Sequence, residues 1–241
     1  MKLLNDLNVR IFADGADLSG ILQMARNPAI KGFTTNPTLM RNAGISDYKG
    51  FALELLRQVP DRPISLEVFS DDLGEMEDQA LEIASWGKNV NVKVPVTNTR
   101  GESCAPLIGR LSASGVFVNV TALMTLEQVD SVLGALQGDA PAFISVFAGR
   151  IADTGIDPMP IMIEAARRSR ARAQTQIIWA SPRELLNVFQ ADEAGVQVIT
   201  VANDILKKLA VVGKDLEQYS LETVKMFRDD AVKAGFAIAT A

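Results

Sequence analysis

The chain has 241 residues, 48% of them hydrophobic, and its 24 Lys and Arg against 29 Asp and Glu leave a net charge of −5 at neutral pH. That length suits one large domain, and a closed α/β barrel of roughly 250 residues is a common solution. A mildly acidic chain without a basic run is not expected to bind nucleic acid as its main activity. No apolar stretch approaches the ~20 residues of a membrane span, and residues 1–8 are too few and too charged for a signal peptide, so a cytoplasmic enzyme that makes no membrane contact is expected. The single cysteine, Cys104, excludes an internal disulfide and a cysteine-rich zinc site. No histidine is present, which removes Ser-His-Asp and Cys-His catalysis and histidine-bearing metal sites. Acid–base work falls to Asp, Glu, Lys, Tyr or water, and neither a cofactor nor a metal is expected.

Short β-rich runs alternate with longer segments of helical period. Eight strands are expected, on "VRIFAD" (9–14), "GFTT" (32–35), "PISLEVF" (63–69), "VNVKVP" (90–95), "GVFVNV" (115–120), "AFISVF" (142–147), "TQIIWA" (175–180) and "VQVITV" (196–201). Between the third and fourth, "DLGEMEDQALEIASW" (72–86) puts Leu73, Met76, Ala80, Leu81 and Ala84 on a core-facing helical stripe. After the eighth, "DILKKLA" begins a helix. A further C-terminal helix is expected to open at Ser220, with apolar Leu221, Val224, Phe227, Val232 and Phe236 packing on a neighbouring subunit or on its own barrel. No linker interrupts the pattern. The expectation is one (β/α)8 TIM barrel domain over 1–241, with about 214–241 as a helical extension.

Side chains alternate in direction along a strand, so each strand divides into a set for the helix layer and a set for the barrel interior. In "NVNVKVPVT" (89–97) the valines form one set, and Asn91 and Lys93 the other. An ammonium buried without a partner tends to lose its proton, and a neutral amine is a nucleophile; alternatively Lys93 lies near the strand end and snorkels to solvent. The other strands add Asp14, Ser65, Glu67, Asn119, Thr121 and Ser145, the last beside Phe143 and Phe147. So many polar side chains turned toward one space imply a reaction site, which in barrels lies at the C-terminal strand ends.

Seven motifs in order, "IFADGAD", "GFTTNPTLM", "SLEV", "VKVPVT", "VNVTALM", "ISVFAGRI" and "WASPRE", resemble those of the transaldolase family across the whole barrel. The resemblance implies Schiff-base chemistry, in which Lys93 attacks the carbonyl of a ketose phosphate and a dihydroxyacetone unit is retained as an enamine and passed to an aldose phosphate. Asp14 is suited to take the proton of the C4 hydroxyl, or to cap the helix beginning near Asp17, for which Asp17 and Ser19 are the better caps. Glu67 and Thr121 would hold the water that shuttles protons. Asn36, Asn119 and Ser145 would bind hydroxyls of the three-carbon unit, with Asn36 also readable as a turn residue before Pro37.

Arg150, Ser181 and Arg183 match the family's phosphate site. The "SPRE" segment also reads as a capping box, with Ser181 as N-cap, Pro182 at N1 and Glu184 at N3. Where the related fructose-6-phosphate aldolases carry glutamine and tyrosine, this chain has Glu67 and Phe147, which favours transfer over release of free dihydroxyacetone. The only tyrosines, Tyr48 and Tyr219, lie on no expected strand. A third reading is a non-catalytic sugar-phosphate-binding barrel, which needs the arginines but not Lys93, Asp14 and Glu67 together. The expected partners are sugar phosphates and further copies of the chain, joined through the C-terminal helix.

Overall fold

The computed structural model describes residues 4–239. In chain order the elements are β1 (Arg10–Asp14), α1 (Leu18–Ala25), β2 (Ile30–Thr34), α2 (Pro37–Asn42), α3 (Tyr48–Gln58), β3 (Ile64–Glu67), α4 (Leu73–Ser85), β4 (Val90–Pro95), α5 (Ala105–Ala113), β5 (Val118–Leu123), α6 (Leu126–Ala135), β6 (Ala142–Val146), α7 (Ala148–Asp153), α8 (Met159–Ser169), β7 (Thr175–Trp179), α9 (Leu186–Glu193), β8 (Val198–Ala202), α10 (Asn203–Leu206) and α11 (Leu216–Lys233). The strands pair in sequence order, all parallel, and β8 closes on β1, with Arg10 beside Val198 and Asp14 beside Ala202. This is the expected (β/α)8 barrel.

Local chemistry starts several of the helices. Asp17, Asn36, Asp47, Asp72 and Thr125 occupy N-cap positions of α1, α2, α3, α4 and α6 and accept from backbone N–H groups one turn on. Asp17 therefore caps α1 and leaves Asp14 free of that duty. The valines of β4 and β5 join the large apolar layer between sheet and helices. A smaller cluster of Phe12, Phe143, Ile178, Ala180 and Val198 has Phe117 and Phe147 packed against it. Phe12 precedes Asp14, and Phe143 precedes Ser145, by two residues. The aromatic plug thus sits one layer nearer the N-terminal end than the polar set.

Several boundaries differ from expectation. β5 begins at Val118 and runs through Leu123, placing Thr121 inside the strand; Gly115, at φ 83°, and Val116 are spent closing α5 through bonds to Ser112 and Leu111 carbonyls. A register irregularity between Val120 and Leu123 coincides with Ala122 at φ 67°. On α4 Met76, Ala80 and Ile83 are buried and Leu73 and Ala84 pack against the core partly buried, whereas Leu81 is 45% exposed, because one residue past Ala80 turns about 100° away from the core. The C-terminal helix opens at Asp215, whose carboxylate accepts from Gln218 N–H (2.9 Å), and not at Ser220. Residues 240 and 241 of the expected extension lie outside the described residues. None of the residues of α11 is buried, and Phe227 (64% exposed) and Phe236 (79%) face away from the barrel. The α11 stripe does not pack on its own barrel. Among the described residues no helix is long and apolar enough to cross a membrane.

Candidate active site

A cavity of about 480 Å³ opens at the C-terminal ends of the strands, and the residues singled out for chemistry, Asn119 excepted, line it. Lys93 is its floor. Its side chain is buried and does not snorkel; Nζ donates to the Thr35 carbonyl oxygen (2.8 Å) and to Glu67 Oε2 (3.0 Å). The register places Glu67 beside Lys93 on β3 and β4, and Lys93 beside Asn119 on β4 and β5. The amine is therefore not the unpartnered group that burial among valines suggested. It rests as half of an ion pair in a site largely closed to water.

Asp14 ends β1 on the opposite wall. Oδ1 accepts from Thr34 Oγ1 (2.7 Å) and Oδ2 from Asn36 Nδ2 (3.3 Å). Burial pushes this carboxyl above its ordinary value; the Lys93 charge and the Thr34 bond pull it back, and Glu67 pushes the same way as burial. The outcome is a raised carboxyl, the direction a general base needs. Asn36 serves twice, since its Oδ1 caps α2 by accepting from Leu39 N–H (2.9 Å) while its amide reaches Asp14. Asn36 thus starts α2 and at the same time lines the cavity.

Thr121 and Ser145 line the cavity, and the buried Thr121 Oγ1 has no partner among the described residues. Asn119 lies beneath them. Its Nδ2 donates to Ser65 Oγ (3.0 Å) and its Oδ1 accepts from Ser145 Oγ (2.7 Å). Asn119 does not line the cavity, and its geometry is that of a brace holding Ser145 upright. Phe147, one residue past β6, lines the wall, with the Arg150 guanidinium 5.8 Å from its ring centroid.

Ser181, Pro182 and Arg183 form the outer rim with Arg150. The capping box expected here is absent. α9 begins only at Leu186, and the N–H groups of Arg183 and Glu184 donate to Asn187 Oδ1 (2.7 and 3.1 Å). Ser181 sits at φ 60°, outside the extended backbone that an N-cap adopts. Arg183 is paired with Asp153 through Nε (3.1 Å) and Nη2, about half exposed. Cys104 is buried away from this chemistry, and burial pushes its thiol up to about 11.

Among the cavity residues that escaped the sequence reading are Thr34 and Thr200, whose hydroxyls meet beneath Asp14. Applying the two-residue alternation to "GFTT" and "VQVITV" would have found them. Tyr48, which binds the backbone of Glu67, carries no sequence signal at all.

The sequence profile of the transaldolase/fructose-6-phosphate aldolase family matches residues 11–238. A probable transaldolase of Dehalococcoides mccartyi is 37% identical over 202 residues, covering 83% of this chain and 90% of the relative. One from Streptococcus agalactiae serotype V is 34% identical over 83% of this chain and 89% of its own length. Another, from a Thermoanaerobacter species, is 32% identical over 95% of this chain and 100% of its own. A profile matched over nearly the whole barrel, with relatives of this likeness and length, means that the chain belongs to the transaldolase/fructose-6-phosphate aldolase family.

Proposed function

We propose that the chain is a transaldolase that moves a dihydroxyacetone unit from sedoheptulose 7-phosphate or fructose 6-phosphate to glyceraldehyde 3-phosphate or erythrose 4-phosphate through a Schiff base on Lys93. The observation that carries this reading is the buried Lys93–Glu67 pair (3.0 Å) sharing one cavity with a carboxyl raised by burial, Asp14. The ammonium must give up a proton before it attacks, and Glu67 is the adjacent acceptor. Addition of the amine to the C2 carbonyl gives a carbinolamine, and a proton passed through water held by Glu67 and Thr121 lets hydroxide depart as water, leaving an iminium. Asp14 takes the C4 hydroxyl proton; the C3–C4 bond breaks, the aldose phosphate leaves, and the bonding electrons enter the enamine. Addition of the enamine to a second aldose, with Asp14 returning the proton, reverses these steps. Asn36 and Ser145 bind hydroxyls of the three-carbon unit, while Arg150, Ser181 and Arg183 receive phosphate.

Borohydride reduction with fructose 6-phosphate, then with sedoheptulose 7-phosphate, followed by peptide mapping, tests the assignment. A label on Lys93 alone is expected. A label around Lys88 or Lys207 would refute the assignment of the nucleophile, and no covalent adduct would point to a sugar-phosphate-binding barrel without catalysis.

A second reading, fructose-6-phosphate aldolase, belongs to the same matched family. Phe147 on the cavity wall argues against it, because a phenyl ring has no hydroxyl to place a water against the enamine carbon. Phe147→Tyr is expected to raise acceptor-independent release of dihydroxyacetone and to depress transfer, within the roughly 10²- to 10⁴-fold range of proton-transfer catalysis. Rapid release by wild type without erythrose 4-phosphate would make the aldolase reading correct. We also infer that the chain forms homo-oligomers through α11, whose apolar face is uncovered.

A further inference from the structure

We propose that Tyr48 is a positioning residue for the Lys93–Glu67 pair, substituting for a missing segment of sheet so that the Glu67 backbone N–H and Lys93 Nζ do not compete for the Thr35 carbonyl. The assignment rests on the Schiff-base reading given above.

β3 is four residues long, and its pairing with β2 covers only Phe33 beside Ile64 and Thr34 beside Ser65. The N–H groups of Ile64 and Val68 donate to β4, at Asn89 O (2.9 Å) and Lys93 O (3.1 Å). Alternation along a strand therefore turns the N–H and C=O of Glu67 toward β2. There the chain has already left the sheet, since Asn36 starts α2. The last ladder contact on that side is Thr35 N–H to Ser65 O (3.3 Å), and the Thr35 carbonyl that would come next accepts from Lys93 Nζ.

Tyr48 fills the gap from the first turn of α3. Its hydroxyl accepts from Glu67 N–H (2.8 Å) and donates to Glu67 C=O (3.0 Å), satisfying both backbone groups with one oxygen. Buried backbone polar groups left unpaired are costly. Without the hydroxyl, Glu67 N–H becomes a competitor for the Thr35 carbonyl that orients Lys93. The ring is held edge-on to Phe69 (centroids 4.6 Å apart) and tilted against Trp86 (5.8 Å). Burial raises the phenol well above its ordinary value, so the donor to Glu67 C=O persists throughout the neutral range. Both bonds also occupy the hydroxyl, leaving it no free proton for the enamine.

The test is Tyr48→Phe, alone and combined with Glu67→Gln, with kcat, KM, the rate of borohydride-trapped adduct formation and Tm measured for each. Expected for Tyr48→Phe is a fall of about tenfold in kcat and in the trapping rate, the upper range for one lost hydrogen bond, with KM nearly unchanged. In the Glu67→Gln background the same change should have less than about a twofold effect, because coupled residues are not additive. Trp86→Phe, which loosens the aromatic cluster but keeps the hydroxyl, should lower Tm and leave kcat intact. An equal loss in both backgrounds, a Tyr48→Phe enzyme that loses only Tm, or a Trp86→Phe enzyme equally slow, would each overturn the positioning role while wild type still forms its adduct. Failure of wild type itself to form an adduct would overturn the underlying reaction, and this role with it.

Discussion

Burial lifts the Asp14 carboxyl above its ordinary 3.8, and that single shift has two separable consequences. The native value exceeds the unfolded one, so the contribution of Asp14 to stability is complete below about pH 3.8 and is lost as pH rises through the raised native value. Above that raised value the ionised group is a net cost to the fold. Asp14→Asn is expected to raise Tm at pH 7, with the gain shrinking toward pH 4, while kcat drops about 10²- to 10⁴-fold. A lower Tm at pH 7 would show that the Lys93 charge, not burial, governs this carboxyl. In wild type the acidic limb of kcat/KM should lie above the normal carboxylate range, because the base must be ionised. Arg183 tests the rim. Its ion pair with Asp153 is about half exposed, so it contributes only about 0–1 kcal/mol to stability. A charge-assisted bond to phosphate is worth about 1.5–3 kcal/mol, so Arg183→Ala should raise KM for phosphorylated aldoses about ten- to hundredfold with Tm nearly constant. A large loss of Tm with KM intact would make the arginine structural.

The segments that follow β6 and β7 come together at Gly149 and Ser181. A Cβ built on Gly149, in the first turn of α7, would lie 1.5 Å from the Ser181 carbonyl oxygen. Glycine is the residue that lets these two segments touch. Gly149→Ala must push them apart, and overpacking of this kind costs about 1–3 kcal/mol. The expected outcome is a lower Tm and a raised KM for phosphorylated substrates, with Lys93 still trapped by unphosphorylated dihydroxyacetone. Unchanged KM and Tm would mean that Ser181 and Gly149 can separate freely. The same junction shows where element-level reading ran short. "SPRE" satisfies a capping pattern in composition, but that pattern also needs extended backbone at Ser181, and the tertiary approach of Gly149 accompanies a left-handed residue there. Asp17 and Asp72, where no such approach intervenes, cap as their sequences suggest.

At the scale of the molecule, Leu221, Val224, Phe227 and Val232 of α11, and Phe236 just beyond it, are each at least 46% exposed. Exposed apolar residues of this kind support the proposed association through α11. Wild type is expected to sediment as an oligomer at micromolar concentration, and Val224→Lys with Phe227→Lys to shift it toward monomer. A monomeric wild type would refute the role of α11. The barrel and the Asp14, Glu67, Lys93 set could be read directly from the sequence, because two-residue alternation assigns faces locally and eight βα repeats permit few closures. Those are properties of short segments. The pairing of Lys93 with Glu67, the brace that Asn119 makes between Ser65 and Ser145, and the Tyr48 bonds to Glu67 join residues 19 to 54 positions apart. Such contacts depend on register and on where β2 leaves the sheet, which only closure of the barrel decides, since a side chain's partner is set by its neighbours in space and not by its neighbours in the chain.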